Sequence, residues 1–216
     1  MCFSPAASFA IGAVTAAAGI YALTQVRRAR DLPFAAMPLC FSAQQIAEGL
    51  LWIQWPSDAG WVEGAMRFFL IMAHAFWPAY APFAAFALEP LRNRRTLMAP
   101  FVLAGWVLSG YLLVALDQNA VSAGFVDGHI EYQLGARPSI TWPIYVAATI
   151  VPFLLSSRVW AVRFGLIVLV GSIVAAIAYF QSFLSVWCFF AASASVTVVL
   201  HFERSRARSA AFVSVR

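Results

Sequence analysis

Phe41 to Trp55 reads FSAQQIAEGLLWIQW, two glutamines and a glutamate set in an apolar run of a length suited to crossing a membrane. Gln44, Glu48 and Trp52 stand at i, i+4 and i+8, so a helix through this stretch carries them as one stripe along one face. An ionisable group in hydrocarbon is costly unless it faces a protein interior or a watery cavity. Glu48 is therefore the first candidate for function, and the segment around it is the wall of a membrane domain.

The rest of the composition agrees. The chain has 216 residues, of which 62% are hydrophobic and only 11% charged, too little polar surface for an ordinary soluble domain. The apolar residues come in blocks near the spanning length of about 20. The formal charge of +5 comes from arginine alone, since there is no lysine. Those arginines are clustered in a way that speaks of membrane topology rather than nucleic-acid binding. Three cysteines do not make a disulfide framework, although two can pair if both face an oxidising compartment. The first apolar stretch is not a signal peptide by pattern, because no basic residue precedes it and Arg27, Arg28 and Arg30 follow it.

These blocks predict an all-α polytopic protein with seven transmembrane helices. Ser4-Pro5 is a helix start, with a capping hydroxyl and proline at the first position, and that span runs to about Val26. Ala6, Ala10, Ala13 and Ala17 predict its packing face. The second span opens at Pro33 and ends near Trp55, and the third covers about Gly64 to Leu88, with Pro78 and Pro82 expected to free backbone carbonyls inside it. The fourth runs from about Leu97 to Leu116, the fifth from Trp142 to Leu155, the sixth from Val162 to Phe180 and the seventh from Phe183 to Phe202. Residues 1–203 form one transmembrane domain and 204–216 a basic tail. The longest connection, Asp117 to Thr141, exceeds the usual loop length of about 12 to 15 residues and reads as a lid or binding loop. Trp77-Pro78-Ala79-Tyr80 and Trp142-Pro143-Ile144-Tyr145 resemble each other but fall at different depths, a weak sign of internal repetition.

Seven spans put alternate connections on opposite sides. Twelve of the fourteen arginines then fall on the side of the C-terminus, and only Arg67 and Arg137 on the other. By the positive-inside rule the tail is cytoplasmic and the N-terminus outside, the orientation expected in a cell's inner (cytoplasmic) membrane, with membrane lipid as the standing partner. Arg67 is expected to pair with Glu63 or to snorkel, and Trp52, Trp55, Trp61 and Trp142 to belong to interfacial belts.

With orientation fixed, Cys2, Glu48, His129, Glu131 and Cys188 fall in or above the outer half and His74 near the middle of its helix, whereas Cys40 and His201 lie toward the cytoplasmic end. Two thiols and two imidazoles, Cys2, His74, His129 and Cys188, are a ligand set for zinc, or for copper where thiolates dominate. They come from four separate segments, with none of the short spacings of a zinc motif. His74 is also a candidate axial ligand for haem. Glu48 and Glu131 are the candidate catalytic bases if a metal activates water or polarises a substrate. Three other outcomes stand beside this one. Cys2 and Cys188 are placed to form a disulfide; the Gln44, Gln45 and Glu48 stripe suits a pathway for a small polar solute or proton; and the same residues can simply pack and hydrogen-bond as a structural subunit, His74 pairing with Glu48 or a glutamine. Gln44 and Gln45 are expected to support the site rather than to form it.

The opening Met1-Cys2-Phe3-Ser4, the segment Leu32-Pro33-Phe34 leading to Gln44-Gln45-x-x-Glu48-Gly49, and Ser185-Val186-Trp187-Cys188 resemble a family of bacterial multi-pass membrane proteins of unknown function. Its members begin Met-Cys-Phe-Ser or Met-Cys-Trp-Ser. The resemblance covers most of the chain and implies that Cys2, Glu48 and Cys188 belong to the family pattern, without implying an activity. Seven-pass zinc amidohydrolases of the alkaline ceramidase type carry two histidines four residues apart on the last helix, and this chain lacks that pair. The expectation is a membrane protein with a polar, metal- or thiol-containing site in its outer half, acting on a small-molecule ligand that the sequence does not identify.

Overall fold

The computed structural model describes residues 4–54, 60–118, 122–126, 129–133, 138–178 and 183–213, with the side chains of 54, 122–126, 129–131, 133, 183–185 and 205–213 left aside. It is almost entirely helical. Five stretches are long and apolar enough to cross a membrane: Pro5–Thr24, Gly60–Leu88, Arg92–Gln118, Val159–Ala178 and Val186–Arg204. Large apolar side chains on them face outward, Val107 at 67% exposure and Ile177 at 81%, which suits contact with lipid and would be costly against water.

Helix α1 spans Pro5–Thr24, with the Ser4 hydroxyl accepting from the Ala7 N–H at 3.2 Å. It lies against α2, Leu32–Gln54. The buried face of α1 is Ser8, Gly12, Thr15, Gly19 and Ala22, whereas Ala6, Ala10, Ala13 and Ala17 are exposed. This corrects the alanine face expected from the sequence. The glycines decide it: a Cβ on Gly19 would sit 2.8 Å from the Leu39 backbone nitrogen, so the two backbones touch where only hydrogen fits. Ser42 then reaches across to donate to the Gly12 carbonyl at 2.7 Å.

Helix α3 runs Gly60–Leu88 with a π-helical segment, Ile71–Phe76, just ahead of Trp77-Pro78. Pro78 has no N–H for the carbonyl one turn back, and the ladder is re-registered there. The carbonyls this loosens are taken by neighbouring helices: Ser109 donates to Ala75 O at 2.6 Å, Trp106 Nε1 to Ala79 O at 3.2 Å, and the Tyr145 hydroxyl to Ala73 O. The expectation that the prolines would free backbone for other partners is met. Helix α4, Arg92–Gln118, brings Gly105 onto the Pro78 carbonyl, where a Cβ would collide with that oxygen.

The connection after α4 contains a two-stranded antiparallel hairpin, β1 Ser122–Val126 and β2 His129–Gln133, with Gly124 opposite Glu131. It is anchored by Tyr132, whose ring stacks on Phe69 at 4.9 Å. Helix α5 is short, Thr141–Leu154; α6 is Val159–Ala178; and α7 Phe183–Ser193 breaks at Ala194 before α8 Ser195–Val213. The seventh span was expected to be one helix, and α8 carries on well past the 203/204 boundary expected for the tail.

The arginine-bearing ends converge. Arg94, at the start of α4, donates to the Leu155 and Ser156 carbonyls after α5 at 2.8 and 3.1 Å. Arg204 of α8 lies over Trp160 of α6, and Tyr21 near the end of α1 reaches Glu203 at 3.5 Å.

Candidate functional site

The stripe on α2 faces inward as its spacing requires. Gln44 and Glu48 are both 0% exposed, Gln45 is buried, and Trp52 is half-buried. Gln44 is more central than expected. Its Oε1 accepts from the Trp77 indole at 2.7 Å and its Nε2 donates to Cys188 Sγ at 3.0 Å, so one amide ties α2 to α3 and α7. The two bonds also fix the amide orientation, since the indole only donates. Gln45 Nε2 donates to Glu48 Oε2 at 3.5 Å, a long bond, while Gln45 Oε1 is buried without a partner.

Cys188 is a free thiol within electrostatic reach of Glu48. On one side it belongs to a buried apolar cluster with Ala47, Leu51, Phe69 and Ala73, against which Trp52 and, from the hairpin, Tyr132 pack. On the other side it borders a cavity of about 30 Å³, walled also by Phe41, Trp77, Tyr145, Thr149 and Trp187. That is room for about one water molecule. The walls are rigid: Phe41 stacks on Trp77 at 4.0 Å and Tyr145 tilts against Trp187 at 5.2 Å.

The sequence candidates thus divide. Glu48 and Cys188 are both buried, and Gln44, one turn from Glu48 on α2, bonds to the Cys188 sulfur, a link that the spacing did not reveal. His74 is buried in the π-helical segment, its Nδ1 3.3 Å from the Leu70 carbonyl of its own helix. His129 and Glu131 are positions on β2, opposite Val126 and Gly124, with side chains outside the described residues, and Cys2 lies outside them altogether. Among the described residues no three of His, Cys, Asp and Glu gather as a metal cluster would. Cys40 and His201 lie apart from the site, His201 with its ring 5.6 Å from Phe34. Arg67 pairs with Glu63 at 3.1 Å as expected. The two Trp-Pro-x-Tyr segments differ in setting: Trp77 is buried where Trp142 is 47% exposed.

A second polar centre was not anticipated. Glu89, at the end of α3, is 0% exposed and accepts four hydrogen bonds: from Leu91 N–H at 3.0 Å, the Ser156 hydroxyl at 3.0 Å, and the Ser157 N–H and hydroxyl, both at 2.6 Å. Burial pushes its carboxyl up, but the bonds from Ser157, Leu91 and Ser156 outweigh it and hold the group below its ordinary value of 4.5. The sequence signal was faint, a Glu-Pro pair at a helix end whose serine partners lie far along the chain.

The architecture is that of a helical protein of membrane type with a buried amide, thiol and carboxylate, and a hairpin. The chain belongs to a family of unknown function, DUF6629, whose model matches residues 1–214. No curated protein and no solved structure matches it.

Proposed function

We propose that this chain is a seven-span protein of the bacterial inner membrane, N-terminus outside, whose outer half carries a ligand site built on Glu48 and Cys188 that takes a transition metal, zinc or copper. The carrying observation is a buried thiol bonded at 3.0 Å to Gln44, which lies one helical turn along α2 from the buried carboxylate of Glu48. A thiolate and a carboxylate are two of the donor types such ions use. On sequence grounds Cys2 and His129 are the donors left to complete the set. A metal there would polarise a small substrate or activate water, with Glu131 as the candidate base once Glu48 is a ligand.

A closed inner side supports this reading over transport. From Gln44 toward the arginine-rich end, α2 presents Phe41, Met37 and Phe34, all buried and apolar, where a solute pathway needs polar groups. The seven-span count adds α2 and the short α5 to the five long apolar stretches, and the converging arginines at one end suit a cytoplasmic face.

Elemental analysis of freshly purified protein tests the proposal. Stoichiometric zinc or copper in the wild type, lost in Cys188→Ser and in Glu48→Gln, is expected. A wild type free of transition metal overturns it.

A further inference from the structure

Trp160, in the first turn of α6, carries two guanidinium groups on its ring. Cζ of Arg163 lies 4.2 Å and that of Arg204 5.0 Å from the ring centroid, both within cation–π range. Arg158, two residues earlier, is half-buried, and its Nε is shut from solvent with no hydrogen-bond partner. It stands close enough to His201 of α8 to act on it electrostatically. Three like charges at one corner repel unless something neutralises them.

The nearby carboxylates are engaged elsewhere. Glu203 accepts from Tyr21 and Glu89 from Leu91, Ser156 and Ser157. Among the described residues the ion pairs are Arg30 with Asp31 and Arg67 with Glu63, none of them at this corner. Because α6 starts at Val159, its first amides, which have no acceptor within the helix, and the positive end of its dipole lie at the same corner. Among the described residues, the groups assembled there are donors and cations whose nearby carboxylates already accept other bonds.

We infer that Arg163 and Arg204, stacked on Trp160, together with Arg158 two residues before it, form a binding site for a phosphate-bearing anion. Guanidinium forks match phosphate oxygens in pairs. The indole holds Arg163 and Arg204, both exposed, in place ahead of binding, and the buried Arg158 N–H gains an acceptor. The corner lies at the start of α6 and midway along α8, beside the arginine-bearing turn of α4, and on the proposed seven-span topology this is the depth of lipid headgroups. The phosphodiester of an anionic phospholipid is the source this depth favours.

The test uses the full chain in neutral detergent, titrated with phosphatidylglycerol, with phosphatidylcholine and with inorganic phosphate, bound lipid being counted by native mass spectrometry. The expected result is retention of phosphatidylglycerol at least about tenfold tighter than phosphatidylcholine, equivalent to ~1.4 kcal/mol. The preference falls away in Arg163→Gln/Arg204→Gln, which alters only exposed side chains, and in Arg158→Gln, and is kept in Arg67→Gln at the other end of the bundle. Displacement of phosphatidylglycerol by millimolar inorganic phosphate, in the wild type but without effect in the double variant, upholds the anion site and makes a soluble phosphate its source. Equal retention of the two lipids by the wild type, or an unchanged preference in the double variant, overturns the inference.

Discussion

Glu48 and Glu89 are both fully buried, yet they are held in opposite ways. Glu89 sits where two interhelical turns meet and is ringed by four donors at 2.6 to 3.0 Å, two backbone or side-chain groups on each oxygen. Glu48 sits in mid-helix, with a long 3.5 Å bond from Gln45 and a thiol within electrostatic reach. The first arrangement matches an ionised carboxylate donor for donor, and its work is to lock two turns together. The second sets beside the carboxylate an amide of its own helix and, by electrostatic reach, a thiol. Burial alone does not distinguish these two acids; the kind of neighbour does.

The largest effect should follow from emptying the matched cage. Glu89→Ala leaves the Ser157 N–H, the Leu91 N–H and two hydroxyls without their acceptor, and hydrogen bonds to a charged group are each worth about 1.5–3 kcal/mol. With water entering to recover part of this, a loss of roughly 3 kcal/mol is expected, read as a lower midpoint of unfolding in detergent. The pH dependence has a fixed sign. The folded carboxyl lies below its ordinary value of 4.5, so its contribution is complete above that value and is lost as pH falls through the folded one. The stability gap between wild type and Glu89→Ala should therefore close on acidification below the usual carboxylate range. A gap that stays constant would mean that the four bonds do not depend on charge.

Next comes the bridge beside Glu48. Gln44→Leu keeps the volume but removes the acceptor of the Trp77 indole and the donor to Cys188. A buried N–H left without an acceptor costs about 1–3 kcal/mol, so the midpoint should drop by less than in Glu89→Ala. The thiol, released from Gln44, should react faster with a small maleimide than in the wild type. An unaltered rate would show that Gln44 does not control Cys188.

Glu48→Gln sharpens the comparison further. If Glu48 serves a ligand rather than the fold, an isosteric amide should change stability by less than about 1 kcal/mol, within the range of a neutral replacement in which both partners still bond. Metal content is expected to fall in the same variant. A loss as large as that of Glu89→Ala would place both glutamates in one structural class and end the contrast.

How much of this could be read in advance depends on the range of the interactions. The inward face of α2 was legible because Gln44, Glu48 and Trp52 repeat at helical spacing within one segment. The proline-loosened carbonyls of α3 were legible because Pro78 removes a donor whatever lies around it. The face of α1 was misread, since exposed alanine suits lipid as well as buried alanine suits a helix contact; the glycines at 12 and 19, seven apart, carried the better signal. The Gln44–Cys188 bond and the Glu89 cage join residues 144 and 67 or 68 positions apart. No periodicity within one helix encodes such pairs. The hairpin was hidden because its strands are short and an anchor such as Tyr132 on Phe69 is a tertiary contact.

The smallest effect supplies the baseline for the other two acids. Glu63 is 62% exposed and pairs with Arg67, also 62% exposed, at i and i+4 on one helix. Water and salt screen such a pair, and side-chain entropy takes back part of the attraction, so it contributes about 0.3–0.5 kcal/mol. Glu63→Gln should move the unfolding midpoint by an amount near the error of the measurement, and that small shift should vanish in high salt. Glu89→Ala should remain costly in high salt, because its donors touch the carboxylate directly and exclude ions. If Glu63→Gln instead proved as damaging as Gln44→Leu, the ranking by type of neighbour would fail at its simplest point, where the geometry is shortest in sequence and most open to solvent.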